Sequence, residues 1–337
     1  MKEDFAIIIG INDYTPPNQL GLKTLQGAVN DANQVEAWVS SPTGGNVPAA
    51  NIKKIISTPA PLKPVQDEID EAFLGIRALI LSKGGFARRL YFYFAGHGLG
   101  IINSTVDTAL CLAKWSEERR QSALSSELYK DYIKQYGYFE EIIFIADCCR
   151  NTKISITPQP PTFRSPIPGQ GAGQTKMFVA YATQYQDQSF EVESIHSEMR
   201  GAFTSVLLDG LKGAAANNGS IGADDLRDYL YKKTPEIAII QGYKQIPDIS
   251  HSFANNFSLV TVPISNTNVT FTFSATRNNL IELSDGNLNV LETFDGSKNK
   301  SFSKQLSKGL YMLSDTITGD TISFPVSPTQ NNTHVNF

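Results

Sequence analysis

Phe92-Tyr93-Phe94-Ala95-Gly96-His97-Gly98 and Ile143-Phe144-Ile145-Ala146-Asp147-Cys148-Cys149-Arg150-Asn151 decide how this chain is read. Each is a run of aromatic and β-branched residues that stops abruptly at a reactive side chain. Such runs read as buried strands of a parallel sheet. Residues just past the C-terminal ends of those strands sit where open α/β sheets build their sites. One strand delivers an imidazole, the other a thiol, to the same edge.

Outward from these strands the alternation continues. Phe5–Ile9 and Met177–Ala182 read as further strands, with a short one at Ala109–Leu112. Leu25–Val39, Val65–Leu81, Ala202–Leu211 and Asp224–Lys232 carry apolar residues at helical spacing. A helix over about 126–136 has Ser125 or Ser126 as its N-cap. Strands alternating with helices predict an α/β fold, a mostly parallel sheet flanked by helices on both faces, through residue 264. Within it, residues 152–174 hold five prolines and three glycines and read as an exposed, mobile linker. From 265 to 337 short strand-like stretches alternate with Asn, Asp, Gly and Ser, which predicts a small, all-β, sandwich-like accessory domain.

Composition narrows the classes. A 337-residue chain suggests two domains at about 150 residues each. Its net charge of -4 argues against nonspecific nucleic-acid binding. No run approaches the roughly 18 apolar residues of a membrane span, and the acidic start argues against a signal peptide. Three cysteines make no disulfide framework and point to a reducing cytoplasm.

A thiol attacks a carbonyl as thiolate, and a neighbouring imidazole can take its proton and return it to the leaving amine. His97 fits the base, and Cys148 or Cys149 the nucleophile. The amides of Gly98 and of the nucleophile itself are candidates to hold the oxyanion. Zinc would need four ligands from His97, Cys111, Cys148 and Cys149, without a CxxC or HExxH spacing, so no metal is expected. Glycines around His97 lack the lysine and spacing of a phosphate loop. Adjacent strand residues point oppositely, so only one of the two cysteines can face His97.

These segments resemble the caspase-like clan of cysteine peptidases, with caspases, metacaspases and their bacterial relatives. Phe5–Tyr14 is similar to the family's first strand and turn, and Asn30-Asp31-Ala32 to its Asn-Asp-Ala helix start. Ala95-Gly96-His97-Gly98 resembles the Ser/Ala-Gly-His-Gly motif, and Asp147-Cys148-Cys149-Arg150-Asn151 the bacterial Asp-Ala-Cys-Arg-Asn pattern. His97 precedes Cys149 by about 50 positions, as in caspases. The resemblance covers residues 4 to 255 and implies Cys149 as nucleophile and His97 as base. It also implies protein substrates and zymogen control.

The resemblance further implies cleavage after Arg, then Lys, through carboxylates at Asp147 and Asp187, since paired carboxylates make bidentate bonds to a guanidinium. Arg164, with Pro-rich flanks, is the self-cleavage candidate; Lys153 is the alternative. Some relatives are calcium-activated, but Glu191, Glu193 and Glu198 read equally as a solvated surface, so no cofactor is expected. The family's bacterial members suggest an effector in stress, cell death or phage defence. The β domain would recruit an activating protein. The alternative is a caspase-like binding scaffold with little turnover.

Overall fold

The computed structural model describes residues 3–102, 104–151, 156–164, 173–193, 198–217, 219–240, 242–254, 257–262, 266–286, 288–307, 309–326 and 332–337. Two compact units divide it, Met1–Val262 and Pro263–Phe337.

In the first unit β1 (Asp4–Gly10), α1 (Ala28–Ser40) and β2 (Ile52–Ile56) lead into a short pair, β3 (Thr58–Pro59) and β4 (Leu62–Lys63). Then come α2 (Gln66–Ser82), β5 (Ala87–Ala95), β6 (Gly98–Ile101), β7 (Ser104–Cys111) and β8 (Ala123–Ser125). After α3 (Ser126–Gln135) follow β9 (Phe139–Asp147), β10 (Lys176–Tyr181), β11 (Glu191–Glu193) and β12 (Met199–Gly201). α4 (Ala202–Asp209), β13 (Ser220–Gly222), α5 (Ala223–Ile240), β14 (Asp248–His251) and β15 (Ser258–Thr261) complete it.

The central sheet has the order β14-β10-β9-β5-β1-β2, and only β14 runs antiparallel to its neighbour. Alternation along the strands sorts their side chains to two apolar layers. Ile7, Phe92 and Phe144 pack with Phe73 and Ile76 of α2 and Ile133 of α3. Ile8, Tyr93 and Ile145 pack with Val35 of α1, Phe203 of α4 and Leu226 of α5. Burial on both faces explains why these strands read as continuous apolar runs rather than as alternating ones.

Local signals set the helix starts. Ser125 caps α3, its Oγ accepting from Leu128 N at 3.1 Å. α5 passes the expected end at Lys232 and runs through Pro235 to Ile240. Leu226, Leu230, Thr234 and Ala238 are buried at four-residue spacing, so packing outweighs the proline's local penalty of about 3 kcal/mol.

The expectation of an exposed, mobile linker over 152–174 is corrected for residues 156–164. Gln159 N donates to Ala123 O, and Ser125 N to Gln159 O, at 2.7 and 2.9 Å, which extends the β6-β7-β8 sheet. Thr162 N and Oγ1 donate to the buried Asp70 carboxylate. Phe163 stacks on Phe73 at 4.8 Å and meets Tyr129 edge-on. Prolines keep this stretch extended, and an extended chain can pair with a sheet edge and insert an aromatic anchor. Arg164 is exposed and its carbonyl accepts from Tyr136 Oη. Lys153 and the segments 152–155 and 165–172 lie outside the described residues.

The second unit is a β-sandwich. β16 (Thr267–Thr272), β17 (Leu280–Asp285), β18 (Val290–Asp295), β19 (Ser301–Leu306), β20 (Gly309–Asp315), β21 (Thr321–Val326) and β22 (Asn332–Asn336) form it. Sheets β19-β16-β22 and β18-β17-β20-β21 share one core around Phe271, Phe294 and Leu313. Among the described residues no helix is long and apolar enough to cross a membrane.

Because Phe163 anchors the segment before Arg164, Phe163→Ala is expected to destabilise the first unit by about 3 kcal/mol, as for other buried Phe truncations. Denaturant melts check the loss. Trypsin should also cut after Arg164 faster than in the wild type.

Candidate active site

Parallel pairing of β5 with β9 aligns Ala95 with Asp147, so both strands leave the sheet at one level. Gly96 N donates to Asp147 O at 3.2 Å and continues the ladder one step further. His97 and Cys149, each two residues beyond that register, line one cleft of about 230 Å³. Ala28, Asp31, Asp147, Ser189, Glu191 and Tyr243 are among the other lining residues.

Gly98 permits this approach. A methyl carbon there would fall 2.5 Å from both Cys148 Sγ and Cys149 O. Cys148 is 2% exposed within the core, and burial pushes its thiol well above the ordinary range. Cys149 is half-buried at the cleft, where its Sγ accepts from Ser189 N at 3.3 Å. The two thiols therefore differ in environment as opposed strand faces require.

His97 is fixed by main chain and by Tyr14. Its Nε2 lies 2.7 Å from Lys23 O. A carbonyl only accepts, so Nε2 carries the proton and neutral His97 presents the Nδ1 lone pair. Tyr14 Oη accepts from His97 N at 2.8 Å, and the two rings meet edge-on at 4.8 Å. Burial holds the imidazole below its ordinary pKa, opposed by the bond to Lys23.

The strand end after Cys149 is pinned by Arg150, which is 1% exposed. Its guanidinium donates to Thr108 Oγ1, Thr105 O and Asp248 Oδ2 and lies 4.4 Å from the Tyr181 ring centroid. Arg150 N donates to Asp187 O, and Gln186 N to Arg150 O.

Asp187, expected in a substrate pocket, is not among the residues lining the cleft. Its peptide instead closes the turn that braces Arg150. The acid that accompanies Asp147 deep in the cleft is Asp31 of α1, which is 2% exposed. Asp147 Oδ2 accepts from Thr204 N and Oγ1, and Oδ1 from Ser189 Oγ. Asp31 Oδ2 accepts from Gly201 N at 2.7 Å. The two carboxylates converge on Gly201, where a methyl carbon would meet Asp147 Oδ2 at 2.2 Å and Asp31 Oδ2 at 2.9 Å. Burial raises the pKa of Asp147, with Thr204 and Ser189 opposing. Burial and then the charge of Asp147 raise that of Asp31 further.

Other lining residues carried no sequence signal. Glu191, read as solvated surface or a calcium ligand, accepts from Gln26 N and Gly27 N and so caps α1 from outside the helix. Phe190 stacks on Tyr243 at 4.0 Å on the cleft wall. Among the described residues no group of three or more His, Cys, Asp or Glu is placed to hold a metal ion.

A doubly covered α/β sheet that sets an imidazole and a thiol at one strand-end cleft has the architecture of a cysteine-type endopeptidase. The chain belongs to the caspase-domain family, whose model matches residues 3–258. A probable protease of a Desulfuromonadales bacterium is 28% identical over 248 residues, covering 68% of this chain. The match takes in 28% of that relative's own length. A Geobacter sulfurreducens protein of known crystal structure superposes with a TM-score of 0.45 at 14% identity, over 77% of this chain and 98% of its own.

The depressed pKa of His97 gives a direct test. In Cys149→Ala, where no thiolate competes, the imidazole signals of His97 should titrate by NMR with a midpoint below 6.5, its ordinary value. An imidazole whose folded pKa is depressed stays neutral over a wider pH range, so the base form persists into weak acid.

Proposed function

We propose that the protein cleaves protein substrates after Arg, and less readily after Lys, through a Cys149–His97 dyad. The observation that carries the specificity is the convergence of Asp31 and Asp147, both buried, in the cleft that also holds Cys149. Two carboxylates with raised pKa values are a poor arrangement on their own and a good one around a cation. A guanidinium entering between them regains bidentate, charge-assisted bonds. An ammonium offers a compact point charge without that fork.

The chemistry follows from the fixed tautomer. Nδ1 of His97 takes the Cys149 proton, and Sγ attacks the scissile carbonyl carbon. The tetrahedral oxyanion is assigned to the amides of Gly98 and Cys149. Its collapse breaks the C–N bond, and the imidazolium returns its proton to the leaving amine. Water then hydrolyses the thioester with His97 as base. Arg164, exposed on an anchored segment, remains the proposed self-cleavage point, with zymogen control as its purpose. The second unit is the proposed contact for an activating protein, and an effector role in bacterial stress, cell death or phage defence the proposed setting.

Matched fluorogenic peptides ending in Arg, Lys, Asp or Ala test this. Turnover should follow Arg over Lys and vanish in Cys149→Ala. Asp31→Asn and Asp147→Asn should each cut kcat/KM for Arg by about 100-fold, as expected when a buried charge loses its partner. Preference for Asp or Ala would refute the acidic pocket, and turnover surviving Cys149→Ala would refute the dyad.

A further inference from the structure

Asp31 already has a cation beside it. Arg200, on β12, points its guanidinium at the same acid that the proposed substrate needs. Its Nε lies 3.4 Å from Asp31 Oδ1, with the two side chains 16% and 2% exposed. This is charge contact without hydrogen bonding. Among the described residues, Asp31 Oδ1, Arg200 Nε and Arg200 Nη2 are buried atoms with no hydrogen-bond partner. Buried polar groups are normally satisfied, so Asp31 Oδ1 is an acceptor position still open to a donor.

The strand that carries Arg200 is held firmly in place. Asn30 Nδ2 donates to Met199 O at 3.0 Å, and Gly201 N donates to Asp31 Oδ2. Across the β11–β12 pair, Val192 faces Arg200, and Glu191 of β11 ties to the start of α1. Gly27 lets the strand lie close, since a methyl carbon there would sit 3.0 Å from Arg200 Cα. Arg200 does not itself line the cleft, but it is fixed in place beside Asp31, which does.

We propose that Arg200 is an internal counter-cation that competes with the substrate for Asp31 and sharpens the preference for Arg over Lys. With it, the buried Asp31–Asp147 pair and one guanidinium carry one net negative charge for one incoming cation, while Glu191 is engaged by the amides at the start of α1. A lysine ammonium binds chiefly through that net charge and is weakened by a third, like charge nearby. A substrate guanidinium also gains directed bonds to unfilled acceptor positions, above all Asp31 Oδ1, which do not depend on the net charge. Arg200 therefore costs Lys more than Arg.

This inference rests on the acidic-pocket reading, and benzamidine separates the two. It carries an amidinium and no peptide, and calorimetry reads its binding without turnover. In Arg200→Gln, benzamidine should bind roughly tenfold tighter, the equivalent of about one pKa unit of neighbouring charge. The KM for Lys peptides should fall more than that for Arg peptides, narrowing the Arg/Lys ratio. Arg200→Lys, which keeps the charge, should stay near wild-type affinity. Arg200→Met removes the charge with an apolar chain should the Gln variant not fold. Unchanged or weaker benzamidine binding in both neutral variants, beside wild-type binding and Arg cleavage, overturns the role of Arg200 alone. A wild type that neither binds benzamidine nor cleaves after Arg or Lys overturns the pocket reading itself.

Discussion

The parallel register between β5 and β9 is the constraint on which the cleft depends. Parallel neighbours end at the same edge, so aligning Ala95 with Asp147 brings the next residues of both strands to one place. A slip of one residue would reverse every side chain on the slipped strand, moving Phe92 or Phe144 from one apolar layer into the other. Strong specification of register by a two-sided core is therefore also specification of where His97 and Cys149 emerge. The chemistry is positioned by hydrophobic burial far from it.

Burial alone does not hold the strand ends, because the backbone beyond them leaves the ladder. Polar anchors take over there. Arg150 carries the exit of β9, tying it to β7, to the turn at Gln186–Asp187 and to β14 through Asp248. The ion pair with Asp248 contributes little net stability, since the guanidinium is desolvated while the carboxylate is about half exposed and screened. What it supplies is direction: a planar guanidinium with several acceptors fixes the chain in one orientation. Tyr14 does the same for β5, holding His97 N and packing its ring on the imidazole.

Much of this was legible in the sequence, and the rest was hidden for physical reasons. The two-sided strands announced themselves as unbroken apolar runs, and the reactive residues stood where those runs ended. β2, β11 and β12 escaped because short strands on an edge or in a hairpin have no two-sided burial to write an apolar run. The segment 156–164 read as mobile because its prolines exclude regular structure, yet an extended chain docks well when Phe163 has a slot to fill. Lys23 holds His97 through a carbonyl, a group every residue has, so no residue type betrays it. Asp31 did leave a trace. It sits with Ala28, Ala32 and Val35 on the buried stripe of α1, where an acid is out of place unless something needs it. Asp187 drew attention through its resemblance to a motif, whereas burial pattern pointed to Asp31.

The electrostatics around Asp31 run against stability. Asp31 and Asp147 are buried close together, and each raises the cost of ionising the other. Elsewhere the protein satisfies its buried charges well: Arg89 pairs with Glu141, Tyr91 and the Leu259 carbonyl on the opposite part of the sheet. The same chain therefore solves the problem of a buried ion at one end of its sheet and leaves it unsolved at the other. A fold under selection for stability alone would neutralise Asp31, whose hydrogen bond from Gly201 N an asparagine oxygen could equally accept. Retaining the acid fits the proposed pocket: Arg200 meets part of its charge, and an incoming cation would meet the rest. In that arrangement, part of the binding energy is stored beforehand in the folded protein.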